Sequence, residues 1–242
     1  MLESLFTEYG RVVFFDTETT GFNPDKDDQI IELAAIAVDR DGTQTEMDDF
    51  IRLETLPELP QTITDLTGIT GIQLSAQGID EEDAVRKFVR LMEYEDPEDP
   101  LFNNDKVLLV AHNAQFDLLF LVYSMIRHRE KNKGWMQVFN DCDYLDTLTV
   151  YKDRRSYPHK LEDAIREYGL AGKVENSHRA VDDCRALFEV AKRMEEEKAD
   201  LLQYVNLFGY NPKYGPTGKM LKKVKYTAQG FNNYKGKKLY EL

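Results

Sequence analysis

Residues 106–127, KVLLVAHNAQFDLLFLVYSMIR, restrict the fold more than any other stretch of the chain. KVLLVA is a short, continuously apolar strand, and the pattern after it is a helix apolar on nearly every side. A strand and a helix of this kind belong at the centre of a molecule, covered on more than one face. The chain must therefore be layered, with further strands beside this one and further helices around it.

The remaining segments supply those layers. Three extended runs come first, VVFFD at 12–16, IIELAAIAVD at 30–39 and TEMDDFIRL at 45–53, with Asp41-Gly42 as a hairpin turn between the last two. TITDLTGIT at 62–70 reads as a short helix or turn stopped by glycine, and 80–94 as a helix with Val85, Phe88, Val89 and Met92 on one face. The acidic, proline-bearing stretch 95–105 is a loop. A further strand is expected near DYLDTLTV (143–150), a helix at 160–168 ending in Gly169, and a last helix from about Ala180 to Met194, while Asn113 is placed to cap the central helix. A strand meander followed by alternating helices and strands predicts an α/β fold, a mixed sheet with helices on both faces. The expected division is a domain over residues 1–200 and a Lys-, Tyr- and Gly-rich tail or appendage over 201–242.

A 42% hydrophobic content suits a globular protein, and no apolar run approaches the roughly 20 residues of a membrane span, so no membrane association is expected. The opening MLESLFTEYG lacks a secretory pattern, and Cys142 and Cys184 fit no metal or redox spacing; a cytoplasmic protein is expected. A net charge of -13 argues at first against nucleic acid. From Asn211 to Leu242, however, eight lysines face one acid, a balance of +7 that leaves -20 on the other 210 residues. Such asymmetry describes an acidic body with a basic arm, whose Tyr226, Phe231 and Tyr234 are spaced for stacking along a single strand or for holding a protein partner, or which serves as a plain solubilising tail.

The acids at the ends of the apolar elements carry the chemistry. Asp16 and Glu18 in FDTETTG stand at i and i+2 and project side by side if the strand continues through them; if it stops at Asp16 they are solvated turn residues. Asp117 falls in the first turn of the central helix, where the helix dipole alone would favour an acid. In SHRAVDDC (177–184), helical geometry puts Asp183 ~70° from the centre of the apolar face and Asp182 ~170° away, so Asp183 borders the core and Asp182 faces water. His178 lies just before that helix and is able to swing over the same cleft. Four carboxylates of this kind suit Mg²⁺ or Mn²⁺, and two such ions are a known device for displacement at phosphorus, with His178 as general base.

FDTETTG (15–21), HNAQFD (112–117) and HRAVDD (178–183) resemble, in order and spacing, the three motifs of the DEDDh family of 3′→5′ exonucleases, which includes the proofreading subunit and domain of bacterial DNA polymerase III. The resemblance covers about residues 10–195 and implies a ribonuclease-H-like fold and release of nucleoside monophosphates from DNA 3′ ends, with RNA trimming as the alternative. It implies two Mg²⁺ or Mn²⁺ ions held by Asp16, Glu18, Asp117 and Asp183, no other cofactor, and His178 as the base. It further places Thr19, Thr20 and Gly21 near the terminal nucleotide through their backbone, and Phe22, Phe116, His112 and Asn113 on the substrate side, although Phe22 and Phe116 equally suit the core and His112 a structural place at the strand end. Glu32 and Asp146 match positions the family often fills with acids and are assigned structural hydrogen bonds. A DNA polymerase is a possible partner on the same grounds, and a non-catalytic binding module is the reading that the intact acid and histidine set opposes.

Overall fold

The Val-Val-Phe-Phe run lies inside an eleven-residue strand, β1 (Tyr9–Thr19), in the computed structural model of the chain. The structure describes residues 2–54, 56, 58–94, 106–175 and 177–208, together with the backbone of four two-residue strands beyond them. β1 pairs antiparallel with β2 (Ile30–Asp39), which pairs antiparallel with β3 (Gln44–Phe50). Gly42, at φ 89, makes the turn between those two, where the left-handed backbone excludes most side chains. On its other side β1 runs parallel to β4 (Lys106–Ala111), and β4 parallel to β5 (Asp143–Asp146), so the sheet order is β3-β2-β1-β4-β5.

Strand alternation sends β1 side chains into two separate cores. Val13 and Phe15, with Leu33, Ala35, Leu109 and Ala111, pack beneath α3 (Glu81–Met92), α4 (Ala114–Arg127) and α5 (Trp135–Asp141), where Phe88, Phe120 and Phe139 are fully buried. Val12 and Phe14, with Ala34, Ile36, Leu108 and Val110, face α6 (Thr147–Arg154), α7 (Leu161–Glu167) and α8 (Ala180–Glu197). Truncating a ring such as Phe14 or Phe15 to alanine would cost about 3–5 kcal/mol. The expected α/β architecture, a mixed sheet between helical layers, is the one observed.

Several elements differ from the sequence reading. Residues 61–77 form two short helices, α1 (Gln61–Thr67) and α2 (Gly71–Gln77): Gly68 at φ 71 stops the first, and a Thr70–Gln73 capping box starts the second. β5 is only four residues long, because the Asp146 carboxylate accepts from Leu148 N and Thr149 Oγ1 and turns the β-branched Thr-Leu-Thr-Val run into α6. The packed body continues past residue 200. Leu201, Tyr204, Val205, Leu207 and Phe208 are buried, and Asn206 pairs with the backbone of Tyr144 at 2.7 and 3.0 Å, closing the outer edge of β5. Further along lie the strand pairs Tyr210–Asn211 with Gly215–Pro216 and Lys225–Tyr226 with Tyr240–Glu241. The loop expected at 95–105, and most of the basic arm with Phe231 and Tyr234, lie outside the described residues.

Candidate active site

β1 stays extended through both of its acids, so Asp16 and Glu18 share a face, as alternation requires. Its last pairing with β4 is Phe14↔Val110, so Asp16 and Glu18 lie beyond the end of the parallel ladder. Crevices at the carboxyl ends of parallel strands are where α/β proteins place ligands. From the layer on the same face, α8 brings Asp183 in its first turn, and carboxylate oxygens of Asp16, Glu18 and Asp183 all lie within 4.8 Å of one another. Asp183 is 8% exposed and borders the core as helical geometry gave, whereas Asp182, expected in water, is half-buried, its carboxylate accepting from Ser177 and Arg185.

Asp117 reaches the same strand end from the opposite layer. It is buried in the first turn of α4 and accepts from Thr17 N at 3.1 Å and Thr17 Oγ1 at 2.7 Å. Thr17, between the two acids in sequence, points to the other face and serves as the bridge between layers. The α4 N-terminus is fixed by Asp146, which accepts from Asn113 N at 2.9 Å and Ala114 N at 3.3 Å. Asn113 occupies the cap position at φ 68, but its side chain makes no capping bond; the borrowed carboxylate of Asp146 does that work, correcting the sequence reading. The structural role expected of Asp146 is thus observed. Glu32 is structural as well, fully buried and bonded to Arg179 and to Ala180 N.

The electrostatics of this end of the sheet are dominated by burial and mutual repulsion of the acids. Burial, then repulsion from Asp117, Asp183 and Glu18, pushes the Asp16 carboxyl well above its ordinary range. Burial and repulsion from Asp183, Glu32 and Asp117 raise Glu18 to about 8. Burial raises Asp117 to about 7 against the opposing hydrogen bonds from Thr17. Acids this unwilling to ionise together would be reconciled by a cation among them, and their hard oxygen donors fit a divalent ion such as Mg²⁺ or Mn²⁺. A second trio, Glu54, Glu81 and His128, has ligand atoms equally close, but there Glu81 is already closed by Arg127 at 2.5 and 2.9 Å, His128 at 3.0 Å and Ser124 at 2.8 Å.

The sequence profile of the RNase_T exonuclease family matches residues 13–191. The chain belongs to that family. It is 32% identical over 204 residues to the PolC-type DNA polymerase III of Clostridium perfringens, a match covering 81% of this chain and 12% of that protein, so the exonuclease spans a small part of its relative's length. Among solved structures it superposes on the nuclease domain of 3′hExo, a DEDDh family member bound to rAMP, with a TM-score of 0.62 at 19% identity over 78% of this chain and 94% of that one. Escherichia coli Exonuclease I in complex with a dA16 oligonucleotide gives 0.63 at 19% identity, covering 81% and 42%. The fold is thus the ribonuclease-H-like one expected.

The other residues singled out from the sequence have settings of their own. His178 is exposed at φ 56, one residue before Arg179 at the start of α8. Thr19 and Thr20 are buried: Thr19 Oγ1 donates to Gly21 O at 2.8 Å, and Thr20 Oγ1 donates to Asp28 at 3.2 Å. A Cβ on Gly21 would stand 2.5 Å from the Asp28 carboxylate, so this turn accepts no larger residue without moving Asp28. Phe22 is 81% exposed and packs edge-on to Phe116, which leans on Phe120 in the core. Both ring nitrogens of His112 are committed to the fold, at 3.0 Å from Thr147 Oγ1 and 3.0 Å from His159 O, the structural place rather than the substrate side. The sequence reading passed over Thr17, Asp28 and Arg179. Alternation alone would have turned Thr17 toward α4, whereas Asp28 and Arg179 acquire their roles only from distant partners.

Proposed function

We propose that this exonuclease removes nucleotides from the 3′ end of single-stranded DNA with the help of divalent metal ions. The observation that carries the reading is the convergence of Asp16, Glu18 and Asp183 within 4.8 Å at the open end of β1, with Asp117 locked beside them by Thr17. Asp16, Glu18 and Asp183 would hold one Mg²⁺ or Mn²⁺, and Asp16 with Asp117 a second. Bound there, the ions supply the positive charge that stabilises a phosphodiester as it is attacked. His178 takes the proton of the attacking water, the general-base role that an imidazole most often fills. Its exposed position leaves it open to the solvent from which that water comes.

The turn Thr19-Thr20-Gly21 presents backbone beside the terminal nucleotide, and Phe22, backed by Phe116, offers an exposed ring for a terminal base. The 3′→5′ direction and DNA preference rest on the motif resemblance, on the PolC-type relative and on the oligonucleotide complex of Exonuclease I; the relative also makes a DNA polymerase a candidate partner, in proofreading or repair. The test is degradation of 5′-labelled DNA and RNA strands with Mg²⁺ or Mn²⁺. The reading expects a ladder shortening from the 3′ end of DNA, monophosphate products, and loss of activity in Asp16→Ala. Activity on RNA alone would transfer the assignment to RNA trimming, and full activity of Asp16→Ala would displace the site.

A further inference from the structure

Ser177, His178 and Arg179 lead into α8, and the middle residue holds φ 56. A histidine in the left-handed region carries backbone strain and persists only where its surroundings over-determine the backbone. Both of its neighbours are tied down. Ser177 Oγ donates to Asp182 Oδ2 at 2.7 Å. Arg179 donates through Nε at 2.9 and 3.2 Å and through Nη2 at 2.6 Å to Glu32, and its guanidinium lies 4.8 Å from the centre of the Phe50 ring. The next amide, Ala180 N, donates to the same Glu32 carboxylate at 2.9 Å.

The location of Glu32 gives this clamp its meaning. It is fully buried on β2 and is the Cα partner of Glu18 on β1. The strand pair that carries Asp16 and Glu18 thus also carries the anchor for the backbone at His178, and the helix that carries Asp183 begins at that anchor. Two of the three guanidinium nitrogens of Arg179 are spent on Glu32. Its place beside an acidic centre would suggest a phosphate-binding arginine, but its fork is closed on a carboxylate in the bidentate manner of a structural pair.

We infer that the Glu32–Arg179 clamp is the positioning device for His178, holding its backbone in register with Asp16, Glu18 and Asp183. Arg179 and Glu32 act through His178 and touch neither substrate nor the reacting atoms. The inference rests on His178 being the general base. Displacement of a catalytic group by about 1 Å costs on the order of 10²-fold in rate, so loosening this anchor slows the reaction while the binding surface for the strand is unchanged.

The experiment is a double-mutant cycle on the full chain with 5′-labelled single-stranded DNA and Mg²⁺. Arg179→Met is introduced into the wild type and into His178→Ala. Because that variant strands a buried carboxylate, the pair Glu32→Gln with Arg179→Met is run in parallel, and melting temperatures are recorded for all. In the wild-type background kcat is expected to fall on the order of tenfold to 10²-fold with KM held within about twofold, and Arg179→Lys to recover part of the loss. In the His178→Ala background the same changes are expected to alter kcat by less than about twofold. An equal loss in both backgrounds, a KM effect that dominates, or a folded variant with wild-type kcat overturns the inference. These results are distinguishable from failure of the underlying reading, which would appear as a wild type without exonuclease activity or as His178→Ala with undiminished kcat; the latter would overturn this inference too.

Discussion

Glu18 and Glu32 face each other across the β1–β2 ladder, yet their environments differ: Glu32 is closed by Arg179 and Ala180 N, whereas Glu18 is turned toward Asp16 and Asp183. One register position thus holds an acid that supports the fold and an acid that opposes it. Burial and like charge raise Glu18 to about 8, so holding it ionised costs the metal-free protein stability. Such a cost is a mark of functional groups.

Removing that charge should stabilise the empty protein. Glu18→Gln is expected to raise the stability of the metal-free exonuclease at pH 8 or above by on the order of 1–2 kcal/mol, seen as a higher melting temperature, while lowering exonuclease activity by at least about 10²-fold. Saturating Mn²⁺ should reverse the ranking, because the wild type gains more from the ion. A variant less stable than the wild type in chelator at that pH would contradict the repulsion argument.

At the proposed metal site the same acids would tie metal binding to pH. Glu18 at about 8 and Asp117 at about 7 are raised above their ordinary values, so in the folded state they hold protons that the unfolded chain has released. Their contribution to stability is therefore present at low pH and declines as pH rises from their ordinary values through 7 and 8, in the metal-free protein. A divalent ion held among these acids, as proposed, would displace those protons. Calorimetric titration with Mn²⁺ is expected to release protons at pH 6, read as an enthalpy that varies with the buffer, and to release fewer at pH 9. Release that is independent of pH would remove these two acids from the metal site.

What the sequence disclosed followed from periodicity. The apolar run at 106–111, the all-apolar helix after it, and the alternation that pairs Asp16 with Glu18 are local patterns, and each is an element of the structure. The helical angle that separated Asp183 from Asp182 is equally local. What stayed hidden depends on partners far along the chain. Asn113 has the residue type of a cap, but the capping carboxylate comes from Asp146, 33 positions away. The β-branched run after Asp146 suggested strand until that same carboxylate started α6. Arg179 looks like any surface arginine until Glu32, 147 positions earlier, is placed beneath it.

Away from the candidate active site, the Glu81 cluster makes the opposite prediction about acid. Burial alone would raise Glu81, but hydrogen bonds from His128, Arg127 and Ser124 outweigh it and hold the carboxyl down at about 2. Its stabilisation is accordingly full above the ordinary value of 4.5 and is lost as pH falls from there toward 2. Glu81→Ala should cost about 3–5 kcal/mol at pH 7, by leaving Arg127 facing a buried gap, and the difference from wild type should shrink as unfolding is measured at successively lower pH between 5 and 3. A difference that is constant over that range would mean that packing, not charge, accounts for the loss.

Thr17 makes the sharpest separation between structure and chemistry. Its hydroxyl donates to Asp117 at 2.7 Å, while its amide donates to the same oxygen at 3.1 Å, so Thr17→Val removes one of the two bonds and keeps the shape. The lost bond is worth about 0.5–1.5 kcal/mol in stability, more where a charged acceptor is involved. Both bonds favour the ionised carboxylate, and deleting one moves the Asp117 proton equilibrium further upward from about 7. Activity at subsaturating Mn²⁺ and pH 7 is expected to fall on the order of tenfold in Thr17→Val, with the acid limb of the pH–rate profile displaced to higher pH and Thr17→Ser close to wild type. The displacement is the informative readout, since a variant that merely loosened β1 would lose activity evenly across the profile. An undisplaced acid limb in a folded Thr17→Val would take Asp117 out of the ionisations that govern the rate.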